Sequence, residues 1–234
     1  MQSLNFIGGE KGGVGKSVTA RILAQYFIDK GRPFTAFDTD RSHNSFTRFY
    51  AGHASPVVVD GYEGLDQIIN LFDDSVTPRA DQSVIVDLAA QTAAPIARWI
   101  VDADLLTLLK EMGVTVNFWH VTDAGKDSVD LLARLVHTYG SVPNYIVVKN
   151  LGRGSDFSYF DNSSALQTAL AAGARVITLP ALHEASMNQI DHHSTSFWAA
   201  VNNKDSPYAL GLLERQRVKV WLKLAYETFD GLPL

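Results

Sequence analysis

The stretch GGEKGGVGKS, residues 8 to 17, constrains the fold more than any other part of the chain. It follows the apolar run Leu4-Asn5-Phe6-Ile7 directly and opens a helix-like stretch over 16 to 30. Gly9, Gly15, Lys16 and Ser17 satisfy the spacing G-x-x-x-x-G-K-[ST] in a strand-loop-helix context. The order has a physical reason. Glycines let the backbone N–H groups of Gly9, Glu10, Lys11, Gly12, Gly13, Val14, Gly15, Lys16, Ser17 and Val18 curl around phosphate oxygens, and the following helix adds its positive end. Lys16 then reaches the β- and γ-phosphates, and the Ser17 hydroxyl is a ligand for Mg²⁺. A glycine-rich turn with no ligand is the competing reading, and the complete pattern argues against it.

Elsewhere, short apolar runs alternate with longer amphipathic ones. Strands are predicted at 4–8, 34–38, 57–60, 83–88, 115–121, 144–149 and 175–179, and helices at 16–30, 63–72, 94–112, 126–139, 162–172, 183–201 and 207–229. Continuous apolar strands separated by helices predict an α/β fold, a mostly parallel twisted sheet with helices on both faces. The 234 residues, 46% hydrophobic and without a linker-like tract, fit one domain over 1–234. With no cysteine, disulfides and thiolate metal sites are excluded. Every apolar run is cut by charge before the roughly 20 residues of a membrane span, so a cytoplasmic protein is expected. A net charge of −5 argues against a surface that is basic throughout.

Loop physics leaves Lys11 unexplained. Residues 11 to 17, KGGVGKS, resemble the K-G-G-x-x-G-K-[ST] loop of the ParA/MinD family of P-loop ATPases at every fixed position. The resemblance implies ATP and Mg²⁺ as cofactors, slow ATP hydrolysis and a homodimer closed around two nucleotides. In that arrangement Lys11 acts on the partner subunit's ATP. Val18 departs from the family, which has a hydroxyl residue there against the α-phosphate; a weaker contact is expected.

The second predicted strand ends in FDTDRSHN, which resembles the family's D-x-D stretch; Asp38, Asp40 and Asn44 fit its spacing. The resemblance gives Asp40 the attacking water, so that Lys11, Lys16 and Asp40 form the catalytic set, and places Asp38 near the metal. An Asp at a strand end is also a common turn residue, and for Asp38 both readings stand. SVIVDLAAQT, residues 83 to 92, ends a strand in Asp87, the Walker B position, expected to hold Mg²⁺ opposite Ser17. Gln91 is a candidate switch residue. Asn150 and Pro180, at two later strand ends, are the positions that the resemblance implies for the base pocket, although a strand-end Asn also forms turns.

Arg215, Lys219 and Lys223 recur every four residues and form one stripe of the last helix. Leu213, Val220, Trp221 and Leu224 are expected to pack on its other side. The stripe reads either as a solvated face or as a contact to nonspecific DNA, which the resemblance implies for partition-type members. The tail ETFDGLPL is acidic with a proline next to its last residue, so a membrane-binding terminal helix is not expected. His192 and His193 read as helix-end histidines, and Phe46, Phe49 and Tyr50 as core.

The resemblance thus implies an ATP-dependent dimerising switch that partitions or positions a plasmid, chromosome or protein cargo, with a partner protein stimulating hydrolysis. Two alternatives stay open: an accessory ATPase of a plasmid conjugation or mobilisation system acting on protein partners, and a metabolic P-loop ligase or synthetase.

Overall fold

The computed structural model describes residues 2–73 and 81–234. The strands are β1 (Ser3–Gly8), β2 (Phe34–Asp38), β3 (Ala54–Pro56), β4 (Ser83–Asp87), β5 (Thr115–Thr122), β6 (Asn144–Asn150) and β7 (Arg175–Leu179). The helices are α1 (Lys16–Asp29), α2 (Tyr62–Ile69), α3 (Ala93–Asp102), α4 (Leu105–Glu111), α5 (Lys126–Tyr139), α6 (Ser158–Asp161), α7 (Ser164–Ala171), α8 (Glu184–His192), α9 (Phe197–Asn202) and α10 (Leu212–Phe229). The seven strands form one parallel sheet in the order β3-β2-β4-β1-β5-β6-β7, as the alternating pattern predicted.

Side chains of a strand alternate between faces, and both faces here are covered. Leu4 and Phe6 of β1 point into one core with Val84, Val86 and Phe118, under α2 to α7. Ile7 points into the other with Ile85, Trp119, Val121 and Ile146, under α1 and α8 to α10. This double burial is why the strands read as nearly continuous apolar runs.

Several element boundaries differ from the sequence reading, each with a local cause. Pairing of the edge strand occurs at Ala54–Pro56, not at 57–60; Val57 and Val59 instead bury side chains in the core as irregular backbone. Pro56 is tolerated because β3 is an edge strand. The stretch 94–112 breaks at Asp104, whose φ of 44° is left-handed, and 183–201 breaks at Ser194, with φ 49°. Ser196 then caps α9 by accepting from Ala199 N at 3.2 Å. The last helix begins at Leu212, where Glu214 accepts from the Gly211 backbone N–H at 2.8 Å.

Register aligns the strand ends. Ile7 pairs with Asp87, Asp38 with Asp87, and Gly8 with His120. The chain leaves β1 toward β2 on one side and later returns to β5 on the other, so the carboxyl end of β1 is a topological switch point, where such sheets bind ligands.

Candidate nucleotide site

The loop from Gly9 to Gly15 occupies that switch point. Gly9 has φ 123°, and a Cβ there would stand 2.6 Å from the Val121 carbonyl oxygen. Gly15 has φ 102°, and its Cβ would stand 2.1 Å from Asn150 Nδ2. Glycine is therefore required at both positions for conformation and for space. α1 starts at Lys16, and its first residues Lys16, Ser17 and Val18 line the cleft, so the positive end of the helix favours an anion there.

Lys16 is buried, and its ammonium donates to the Lys11 carbonyl at 2.9 Å. Burial lowers its pKa, against the pull of Asp87, Asp40 and Glu10. Asp87 is 2% exposed, and neither carboxylate oxygen has a hydrogen-bond partner. Burial pushes its pKa up to about 7, although Ser17 and Lys16 favour the charged form. An uncompensated buried carboxylate opposite a serine hydroxyl is a hard, all-oxygen donor set, and it fits a Mg²⁺ ion completed by phosphate oxygens and water. Bound there, the ion would neutralise charge on the phosphate chain.

The two acids after β2 separate into different environments. Asp38 is 1% exposed. Its Oδ1 accepts from Asp40 N at 2.9 Å, and its Oδ2 from Phe46 N at 2.8 Å, Thr47 N at 3.0 Å and Thr47 Oγ1 at 3.2 Å. Both oxygens thus accept hydrogen bonds that fold the loop 39–47, the turn-forming role that the sequence left open, while Asp38 also lies near enough to Asp87 for its charge to be felt there. Asp40 is partly exposed at the cleft wall. Burial opposes its charged form, but N–H groups of Ser42 and His43 and the His43 ring outweigh it and hold the pKa below the usual range. Asp40 is therefore an ionised acid facing the same cavity as Lys16, Ser17 and Asp87.

Lys11 is not among the residues that line this cavity. Its ammonium lies 2.8 Å from Asp123 Oδ2 and 3.8 Å from Asp127 Oδ2. Asp123 is itself fixed by Ser128 Oγ at 2.7 Å and Gly125 N at 3.0 Å.

Asn150 donates from Nδ2 to the Val14 carbonyl at 2.8 Å and accepts at Oδ1 from Gly152 N at 3.0 Å. Both ends of its amide thus brace the phosphate loop, the turn-supporting role that a strand-end Asn also has. The Pro180 carbonyl accepts from Trp221 Nε1 at 2.7 Å, which ties that strand end to α10. Gln91 is exposed with φ 69°, and the cleft wall there is formed by Ala89 and Ala90.

The cavity of about 370 Å³ also has walls that sequence reasoning missed: Arg21, Arg48, Phe49, Arg153 and Asp191. Asp123 and Arg153 follow the carboxyl ends of β5 and β6, a position that could have flagged them. Arg21 and Asp191 lie within helices and give no such signal.

The C-terminal stripe is also revised. The buried face of α10 is Val218, Trp221, Leu222, Ala225 and Phe229, which follows the helical period. Leu213, Val220 and Leu224 are 67%, 46% and 46% exposed, so of the four expected packing residues only Trp221 packs fully. Lys219 and Lys223 are exposed, whereas Arg215 is half-buried and donates to the Leu210 carbonyl. Among the described residues, no helix is long and apolar enough to cross a membrane.

The family model CobQ/CobB/MinD/ParA nucleotide binding domain matches residues 6–154. Protein TraL of Escherichia coli is 24% identical over 99% of this chain and 98% of its own length. Protein MobD of Acidithiobacillus ferrooxidans is 25% identical over 98% and 97%. The structure of the MinD cell division protein of Aquifex aeolicus superposes with a TM-score of 0.56 at 14% identity, covering 100% of this chain and 99% of that one.

Proposed function

The chain belongs to the CobQ/CobB/MinD/ParA nucleotide-binding family, and from that premise we propose that it is a Mg²⁺-dependent ATPase switch that pairs face to face with a second copy when ATP is bound. Lys16, Ser17 and Asp87 hold the nucleotide and its ion, Asp40 orients the attacking water, and Lys11 reaches the nucleotide of the partner subunit. The observation that carries this reading is the placement of the two lysines. Lys16 lies buried in the cleft, while Lys11 lends it only a carbonyl and pairs its ammonium, 31% exposed, with Asp123. A loop lysine that does not line its own nucleotide cleft is available to another.

For the cellular role, likeness over nearly the whole length to TraL and MobD favours an ATPase serving plasmid conjugation or mobilisation through protein partners. Partition through nonspecific DNA is the second reading, supported by the exposed Lys219 and Lys223. A metabolic ligase has no use for a lysine acting in trans.

Light-scattering mass with Mg-ATP and with Mg-ADP tests the switch. A dimer with ATP alone is expected, and Lys11→Ala should remain monomeric while still binding ATP; dimers of Lys11→Ala with normal turnover would sink the reading. Salt-sensitive retention of the ATP form on random duplex DNA would favour partition over transfer.

A further inference from the structure

Two arginines pack against one phenyl ring in the nucleotide cleft. Arg21, four residues after Ser17 on α1, is 2% exposed, with its guanidinium carbon 3.5 Å from the Phe49 ring centroid and 4.7 Å from that of Phe197. Its Nη1 bonds Asp191 Oδ1 at 2.8 Å, while Nε and Nη2 have no hydrogen-bond partner. Arg48 places its guanidinium carbon 4.8 Å from the same Phe49 centroid, is exposed, and makes no ion pair among the described residues. Both arginines line the cavity that contains Lys16, Ser17 and Val18.

The local charge is unbalanced. Asp191 answers one of the two guanidiniums, and the charge on Arg48 works against that on Arg21. A wall of this kind is complementary to added negative charge. The platform under Arg48 is also firm: Asp38 binds the N–H groups of Phe46 and Thr47, and Arg48 N donates to the Asn44 carbonyl at 3.1 Å. Phe49 contacts both guanidiniums and is buried, so the buried Arg21 helps to fix the ring on which Arg48 rests. The phosphate-loop motif uses none of these groups.

We propose that Arg48 contacts the terminal phosphate of the bound nucleoside triphosphate from the chain's own loop, with Arg21 as the positioning residue acting through Phe49. This rests on the ATP reading above and deepens it. The cleft then distinguishes triphosphate from diphosphate within one subunit, before Lys11 of any second copy is involved. Arginine suits this task because its planar fork makes paired, charge-assisted bonds to phosphate.

The test is titration calorimetry of the full chain with Mg²⁺ and either AMPPNP or ADP, at a protein concentration where each variant is monomeric. Arg48→Ala should weaken AMPPNP by roughly 10-fold or more, the loss expected for one charge-assisted bond, and ADP by less than about 3-fold. Arg48→Lys should recover part of the loss. Arg21→Lys should show a smaller selective loss, and its melting temperature tells whether it folds; if it does not, the Arg48 pair decides alone. Unchanged AMPPNP binding in Arg48→Ala, or equal loss of both nucleotides, overturns the proposal. Lys16→Ala is the separate control: if it keeps both nucleotides, the ATP reading itself fails, whatever Arg48 does.

Discussion

The Lys11 ammonium lies 2.8 Å from Asp123 Oδ2, a carboxylate already fixed by Ser128 and Gly125. The bond to Asp123 raises the Lys11 pKa. Burial opposes ionisation of Asp123, but Lys11 and Ser128 outweigh it and lower its pKa. The contact is therefore present above the lowered carboxylate pKa and below the raised lysine pKa, which spans the whole neutral range. Lys11 must leave Asp123 to reach a second subunit. Asp123→Ala should lower the ATP concentration needed for dimerisation several-fold, and the ratio of the mutant to the wild-type midpoint should be the same at pH 6 and at pH 8, because this ion pair stays charged across that range. Analytical ultracentrifugation across an ATP series checks both; a higher midpoint in Asp123→Ala would show that the contact supports the dimer-competent loop.

Asp87 makes the nucleotide-free fold sensitive to pH. Its folded pKa of about 7 stands above the roughly 3.9 of an unfolded aspartate, so the folded state binds the proton more tightly. The contribution of this group to stability is greatest below the unfolded value, falls as pH rises from about 4, and levels off above about 7. The cost at high pH is on the order of 4 kcal/mol as an upper bound. Asp87→Asn should therefore raise the melting temperature of the nucleotide-free protein at pH 8 and not at pH 4. It should also abolish the extra stabilisation that Mg²⁺ gives with ATP, because the carboxylate that fits the ion is gone. Scanning fluorimetry at the two pH values, with and without Mg-ATP, checks the pair of effects.

Asn150 separates a structural support from a base contact. Its amide bonds the Val14 carbonyl and the Gly152 N–H, and Gly15 passes so close that no Cβ fits between them. Asn150→Ala removes both bonds and leaves the Val14 carbonyl unsatisfied, a cost of about 1–3 kcal/mol. If the residue supports the loop, ATP and GTP should both weaken, by about 10-fold if that cost falls on the bound loop. A loss confined to ATP would favour the base-reading role.

How much of this was legible in the sequence follows from range. The alternation of apolar runs sets the sheet and its helices because burial on both faces leaves a local pattern, seen in Ser83–Asp87, where every residue is buried. Lys16, Ser17 and Asp87 were legible because their spacing to a strand end fixes their place. The helix breaks at Asp104 and Ser194 were not, since each rests on a left-handed backbone at a non-glycine residue. Arg21 and Asp191 meet across 170 residues of sequence, and no local pattern announces such a pair. Leu213, Val220 and Leu224 misled because an apolar residue on a helix signals burial only when something covers it, and only Trp221 and its companions face the core.

The two acids of FDTD should come apart under mutation. Asp38 accepts four bonds from the loop it folds, whereas Asp40 accepts from Ser42, His43 and the His43 ring at the open cleft. Asp38→Ala leaves buried N–H groups of Phe46 and Thr47 without an acceptor, and the expected loss is about 2–4 kcal/mol of stability. Because that loop also seats Phe46 and Tyr50 in the core, the loss should appear in urea unfolding with or without nucleotide. Asp40→Asn keeps an oxygen for the Ser42 and His43 N–H groups and gives up the ionised acid. Its stability should stay within about 1 kcal/mol of wild type, while ATP turnover falls at least about 100-fold and ATP binding persists. Urea midpoints and single-turnover hydrolysis measured on both variants decide the assignment. Equal turnover loss without destabilisation in Asp38→Ala would favour a role for that residue at the metal.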